Sequence, residues 1–380
     1  MIAFELTPEQ IDLQNKMHTL AREKIQPYSL RVDGKQPGPM DEGILKIIGG
    51  ENLNAFIIPR AFGGNPLDRV TLSLVTEEIG FGCAGVASIY AATVHAVSAI
   101  LLGGSPEQKD TFLPLLLNPG GSVAGCAITE EKGGSDTTSF ATTARLEGDY
   151  YIINGAKSPV INAGNAAFYI VFANSDTGRG RAGVNAFIVA GDTKGMTFGP
   201  FYDKPGLRST PSAAIFFNEV AVHRSNLIGP PGSGYLLLMQ TLDLGRAFFG
   251  AICVGLARAA IEEATCYAKQ RIILERPIIK NQGISFILAE LATELDAARL
   301  LVWRACRLMD LNTDYTRESS MAKLFASEVA FRAASEGMLI WGQKSCTGRS
   351  LMDKYQRDAQ TLRIVEGTSQ IQKMIIASQL

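Results

Sequence analysis

Val123-Ala-Gly-Cys-Ala-Ile-Thr129, running into Glu130-Glu-Lys-Gly-Gly-Ser-Asp136, is the stretch at which this chain changes character. Upstream of it, residues 7–26, roughly 40–52, 68–80, 85–103 and 106–117 read as helices, separated by turns such as Gln36-Pro-Gly-Pro and Pro59-Arg-Ala-Phe-Gly-Gly. From Val123 to about residue 228 the pattern becomes short β-branched and aromatic runs between turns: Val123 to Thr129, Thr142 to Leu146, Tyr150 to Asn154, Phe168 to Ala173, Asn185 to Val189, and Ala213 to Phe217. Such runs predict an all-β insert of six to eight strands. Beyond about residue 232 helical periodicity returns. Ile284, Leu288, Leu291, Leu295, Ala298 and Val302 step by four and three along one helix, and similar stripes run through 235–270 and 318–340. The expectation is an antiparallel bundle of long helices.

Composition narrows the function. The 380 residues suffice for two or three domains with sizeable cores, and Lys+Arg 36 nearly cancels Asp+Glu 37, which leaves no electrostatic footprint for nucleic acid. The six cysteines (Cys83, Cys126, Cys253, Cys266, Cys306 and Cys346) form no CxxC pair, and only His18, His95 and His223 accompany them. Neither a zinc cluster nor a disulfide framework fits, so no metal and a reduced, cytoplasmic setting are expected. Phe4-Glu-Leu-Thr-Pro-Glu-Gln reads as a helix start rather than a signal peptide, with Thr7 as N-cap, Pro8 at the first helical position and Gln10 closing a capping box. No run of eighteen apolar residues free of charge is expected, hence no integral membrane segment.

Two stretches offer chemistry. Near the C-terminus, Arg363-Ile-Val-Glu-Gly-Thr-Ser-Gln-Ile-Gln places Glu366 between apolar Ile364 and Val365 and a turn that opens a helix. A carboxylate desolvated by those neighbours has a raised pKa, which suits a base that takes a proton from carbon; an ordinary buried or capping Glu is the competing account. In the stretch quoted first, Gly133-Gly134 permits positive φ and exposes N–H groups that can approach a phosphate, and Ser135 adds a hydroxyl. The competing account there is a simple turn.

The order helical, β, helical bundle resembles the acyl-CoA dehydrogenases, and the likeness runs from residue 4 to 380. Ile58-Pro-Arg-Ala-Phe-Gly-Gly with Thr76-Glu-Glu-Ile, and Gly104-Ser-Pro-Glu-Gln-Lys ending in Leu113-Pro-Leu-Leu, are similar to that family's first-domain signatures. Ala127-Ile-Thr-Glu-Glu-Lys-Gly-Gly-Ser-Asp136 resembles its flavin loop. Gly206-Leu-Arg-Ser-Thr, Phe217-Asn-Glu-Val-Ala-Val and Asp243-Leu-Gly-Arg246 follow in order; Arg271, Pro277, Ile278 and Gln282 keep a cofactor-contacting spacing; Glu366-Gly-Thr-Ser stands at the usual base. The resemblance implies an α+β multidomain fold: an N-terminal helical domain over 1–120, a central, flavin-facing β-barrel-like domain over 121–230, and a C-terminal four-helix bundle over 231–380 that carries the base.

By the same resemblance FAD is the cofactor. Glu366 would take the α-proton of an acyl thioester, the β-hydride would pass to flavin, and the Glu366 N–H would help to polarise the thioester carbonyl. Thr129, Gly134, Ser135, Ile161, Arg271, Gln282, Gly342 and Thr368 are the implied cofactor contacts, with Arg271 and Gln282 reaching a neighbouring subunit's FAD in a homotetramer or homodimer. Asp243, Arg246, Val365 and Gly367 are the implied substrate contacts. For Arg271 and Gln282 a solvated helix end competes, and for Asp243 with Arg246 a surface i,i+3 pair. The substrate would be an acyl-CoA or an acyl-carrier-protein thioester, with an electron-transfer flavoprotein as partner. His95, in the apolar Ala91-Ala-Thr-Val-His-Ala-Val, is assigned to packing, without a role.

Departures cluster at the flavin. Pro159 and Ile161 occupy the usual Trp and Thr positions, Leu274-Glu275 replaces Phe-Gly, Glu131 replaces Pro, Gly342-Gln-Lys-Ser replaces a Gly-rich loop, and Val365 stands where Tyr is common. These keep open an enoyl-thioester reductase, an oxidase, a decarboxylating or eliminating enzyme, or a non-catalytic paralogue.

Overall fold

The computed structural model of the chain describes residues 5–138, 140–348 and 350–380; Phe4, where the N-terminal reading begins, lies outside them. Helix α1 (Pro8–Leu20) starts as its sequence predicts. The Thr7 hydroxyl accepts from the Gln10 N–H, and the Gln10 carboxamide oxygen accepts from the Thr7 N–H. A π-turn at Ala21–Ile25 leads into α2 (Gln26–Asp33), followed by α3 (Glu42–Gly50), α4 (Arg69–Gly82), α5 (Ala84–Gly103) and α6 (Pro106–Phe112). Ser105 and Gln108 repeat the capping box at α6.

Eight strands follow: β1 (Ala124–Ala127), β2 (Thr143–Glu147), β3 (Tyr150–Ile161), β4 (Phe168–Asn174), β5 (Val184–Ala190), β6 (Met196–Phe198), β7 (Ser212–His223) and β8 (Leu227–Ile228). They form one sheet in the order β6-β7-β3-β2-β4-β5-β8, with β1 parallel to β4. Strands β2 and β4 meet through the single pair Thr143 and Asn174, and the sheet folds there around Ala144, Tyr151, Ile153, Val171, Phe187 and Ile215. The expected barrel therefore takes the form of a folded sheet whose ladder stays open between β6 and β8. Strands β3 and β7 run further than their alternation suggests. The cause is two register shifts, between Ile153 and Gly155 and between Lys157 and Val160, which break the period-two pattern.

The last block comprises α7 (Gly234–Gln270), a two-stranded hairpin of β9 (Ile272–Ile273) and β10 (Arg276–Pro277), α8 (Gln282–Asp310), α9 (Thr316–Trp341), short α10 (Gln343–Cys346), α11 (Leu351–Leu362) and α12 (Ser369–Ala377). On α8 the expected stripe of Leu288, Leu291, Leu295, Ala298 and Val302 is buried. Helix α7 packs against α8 and α9 on one side and α4 and α5 on the other, tying the bundle to the N-terminal helices. Glycine makes that approach close enough: a β-carbon on Gly255 would lie 2.1 Å from the Glu77 carbonyl oxygen of α4. Buried Glu77 also binds Arg258 of α7 and Arg299 of α8.

Contrary to the sequence expectation, α5 and α7 are each long and apolar enough, by length and composition, to cross a membrane. Their most apolar windows are 89% and 94% buried inside the protein. Protein contacts thus already take up the apolar surface that suggested a span.

Candidate active site

Glu366 sits in the turn between α11 and α12, and the turn is under strain. Glu366 and Gly367 both adopt positive φ, 59° and 85°. Gly367 takes that conformation freely, whereas a side-chain-bearing residue gives up roughly 1–2 kcal/mol. Three hydrogen bonds from two side chains hold the turn in place: the Gln372 amide donates to the carbonyls of Glu366 and Gly367, and the Lys323 ammonium donates to the Gly367 carbonyl at 2.8 Å. The Glu366 N–H donates to no backbone carbonyl among the described residues. Strain that the surroundings over-determine in this way is a mark of a functional turn.

Thr368 closes the turn as N-cap of α12, its hydroxyl accepting from the Ile371 N–H. Thr368→Ala is expected to cost about 1 kcal/mol, read as a lower thermal-unfolding midpoint. A larger fall in activity than in stability would show the cap also sets the position of Glu366.

The Glu366 side chain, 11% exposed, meets His95 of α5, 7% exposed. His95 Nε2 lies 2.9 Å from Glu366 Oε1, at ion-pair distance but without the alignment of a hydrogen bond, and neither atom has another partner among the described residues. The packing role given to His95 on sequence grounds is therefore incomplete. Gly245 on α7 makes room for the contact: a β-carbon there would fall 1.7 Å from His95 Nε2 and 2.7 Å from Glu366 Oε1. One residue on, Arg246 pairs with Asp243, which also accepts from the Thr316 hydroxyl at 2.8 Å. The i,i+3 pair considered for the surface thus exists, but with both side chains largely buried.

The electrostatics reverse one expectation. Burial pushes the Glu366 carboxyl up, as anticipated, but His95, then Arg246 and Lys323, more than offset it, and the net shift is below the ordinary carboxylate value. Ile364 does not supply the shielding; its side chain is 55% exposed, while Val365 packs on the core. Burial disfavours the His95 imidazolium, yet the Glu366 charge and the Ala91 backbone leave its pKa raised. Cys126 of β1 also feels the pair, its thiol pushed up by burial and by the Glu366 charge. Lys323 was missed on sequence, although a lysine beside Ser319, Ala322, Ala326 and Ala330 on the buried face of α9 is itself a signal.

The residues expected to face flavin lie elsewhere. Thr129 is half-buried beyond β1, and Gly134 and Ser135 are exposed. The loop they belong to is anchored by Glu130, which accepts from the Thr142 and Ala141 N–H groups and from the buried Lys157 ammonium. Burial brings Lys157 down to about 8 despite that partner. Gly133 has φ 130°, with nothing within 4 Å of a β-carbon there, so the loop is open on that side, while its own N–H donates to the Glu130 carbonyl at 2.9 Å. Ile161, half-buried at the end of β3, and exposed Pro159 offer only carbon side chains. Arg271 and Gly342 share an open groove of about 910 Å³ on the bundle; Thr129, Gly134 and Ser135 do not line it, nor does Gln282, whose neighbour Asn281 does. Within this chain the two groups of residues expected to hold FAD are therefore not brought together in one groove. The exposed Arg271 guanidinium is compatible with a phosphate of FAD, and Pro159 and Ile161, expected beside its ring system, would offer it only carbon atoms.

Comparison with known proteins accounts for the whole chain. Residues 7–119 match the acyl-CoA dehydrogenase N-terminal domain, 125–220 the middle domain and 232–380 the C-terminal domain. A probable acyl-CoA dehydrogenase of Bacillus subtilis, YngJ, is 38% identical, over 99% of this chain and 99% of its own length. A 3-(aryl)acrylate reductase of Clostridium sporogenes is 36% identical over 98% of each. The solved butyryl-CoA dehydrogenase of Megasphaera elsdenii superposes with TM-score 0.94 at 32% identity, covering 100% of this chain and 99% of that one.

Proposed function

This chain belongs to the acyl-CoA dehydrogenase family, flavin oxidoreductases that act on CH–CH groups, and from that premise we propose that it dehydrogenates an acyl thioester between Cα and Cβ with Glu366 as base. One observation carries the proposal: a strained, nearly enclosed carboxylate that surrounding cations keep ionised. An ionised carboxylate accepts the α-proton and becomes the carboxylic acid. The Glu366 N–H, which no backbone carbonyl takes among the described residues, would donate to the thioester oxygen as negative charge develops there. Arg246 and Lys323 stabilise the charged base before reaction, and Val365 and Gly367 flank the acyl group. FAD would supply the hydride acceptor when bound, and Thr129, Gly134 and Ser135 of one protomer with Arg271, Gln282 and Gly342 of another would hold it.

The assignment of these two groups to different protomers rests on an exposed apolar surface around the groove. Ile272, Ile273, Leu274 and Leu339 are all exposed, Leu274 by 89%, at the tip of a hairpin whose two turn residues, Leu274 and Glu275, both have positive φ. A second copy would cover that tip, in a homodimer or homotetramer in the cytoplasm. The acyl carrier is CoA or an acyl carrier protein, and an electron-transfer flavoprotein takes the electrons. A second reading, enoyl-thioester reduction, is favoured by the acrylate reductase relative and by the apolar Ile161. Purified protein that shows a yellow flavin spectrum and bleaches anaerobically with an acyl-CoA from a chain-length panel supports dehydrogenation. Bleached flavin that an enoyl-CoA reoxidises without a matching acyl-CoA reduction supports the reverse, and colourless protein that refuses added FAD overturns both.

A further inference from the structure

We propose that His95 is the positioning partner of the base: an imidazolium that holds the Glu366 carboxylate in place and sets the acid limb of the pH profile. The inference deepens the reading of Glu366 given above. It stands on geometry drawn from three elements. Helix α5 carries His95 to within 2.9 Å of Glu366, the α11–α12 turn presents the carboxylate, and α7 gives up a side chain at Gly245 where the two meet. His95 Nε2 and Glu366 Oε1 have no other hydrogen-bond partner among the described residues, and both side chains are nearly enclosed. A histidine that served packing alone would not need its Nε2 left open towards a buried carboxylate.

Charge decides what the pair does. The groups acting on Glu366 are His95 from α5, Arg246 from α7 and Lys323 from α9; Cys126 of β1 faces it as a thiol. Arg246 is already paired with Asp243, and Lys323 is spent on the Gly367 carbonyl. His95 is therefore the cation in direct contact with the carboxylate, and Phe249 is its aromatic neighbour, 6.0 Å between ring centroids. The sign follows from the directions of the two shifts. Glu366 is depressed, so its base form is lost only as pH falls well into the acid range; His95 is raised, so the imidazolium persists above its ordinary value. Without the imidazolium, burial regains weight and the carboxyl takes up its proton at higher pH. The arrangement keeps a desolvated base ionised at neutrality without exposing it to water.

His95→Gln separates charge from shape, because the amide nitrogen keeps a donor near Nε2 and cannot ionise. Stopped-flow flavin bleaching by an acyl-CoA should show the acid limb displaced to higher pH, with a loss of about tenfold or more on that limb, equivalent to at least one unit of differential interaction. On the alkaline side, where the carboxylate is ionised in both proteins, the loss should shrink to that of the positioning contact alone. An unmoved limb, or a loss equal at every pH, overturns the proposal. A second measurement is independent of turnover. With only three histidines in the chain, ring-labelled protein gives few signals, and the one missing from His95→Gln is His95. That signal should stay imidazolium through neutral pH in the wild type and become neutral at lower pH in Glu366→Gln; identical titrations overturn the proposal. Wild-type protein that no acyl-CoA bleaches would sink the dehydrogenase reading, and the ring titration would still decide the pairing.

Discussion

Replacing Glu366 by Gln is expected to slow anaerobic flavin bleaching by about 10²–10⁴-fold or more, the usual consequence of removing a general base, in protein that remains folded and yellow. Gln has the same reach, so the left-handed turn, the Gln372 and Lys323 bonds to its carbonyls and the Thr368 cap all survive. What disappears is the negative charge that His95, Arg246 and Lys323 surround. His95 then has no carboxylate to stabilise its cation and becomes neutral at lower pH, which limits the stability cost of leaving positive charge unmatched. The effect should fall on the bleaching rate at saturating thioester rather than on the concentration needed to saturate, because the carboxylate takes the proton only as the C–H bond breaks. Stopped-flow absorbance reads both quantities. A variant that bleaches at the wild-type rate would remove Glu366 from the chemistry and leave the strained turn without an explanation.

The parts of this site that were legible in the sequence share one property: their meaning is local. Thr7 and Gln10 announce a helix start within four residues, and the α8 stripe announces its own buried face. Glu366-Gly-Thr-Ser likewise contains both its glycine and its cap. Contacts across elements were not legible. Nothing within Ala91-Ala-Thr-Val-His-Ala-Val indicates that His95 will meet a carboxylate 271 positions later, because α5 and the α11–α12 turn meet through tertiary packing, in which α7 touches both α5 and α11. The direction of the Glu366 shift failed for a related reason. Desolvation was inferred from sequence neighbours, one of which is exposed, whereas the cations that decide the sign come from α5, α7 and α9. The residues expected to hold FAD were named from motifs, but only the three-dimensional arrangement separates the Arg271 groove from the Ser135 loop.

Gly245→Ala tests the cross-element geometry, because propensity and steric fit predict opposite signs for it. In a helix interior Ala is favoured over Gly by about 1 kcal/mol, so helix propensity alone calls for a more stable protein. The structure calls for the reverse. The new methyl would lie 1.7 Å from His95 Nε2 and 2.7 Å from Glu366 Oε1, inside any real contact distance. Helix α7 cannot retreat, since it is wedged between α4 and α5 on one side and α8 and α9 on the other. The side chains must move instead. Overpacking of this kind costs roughly 1–3 kcal/mol, and shifting a base by about an ångström costs on the order of 10²-fold in rate. The expected result is a lower unfolding midpoint together with a fall of about 10²-fold in flavin bleaching. Combining Gly245→Ala with His95→Ala should recover much of the stability, because the clashing ring is gone, but not the acid-limb behaviour that depends on the imidazolium. A Gly245→Ala protein that is more stable than wild type and equally active would mean that the imidazole and the carboxylate do not meet in solution as they do here.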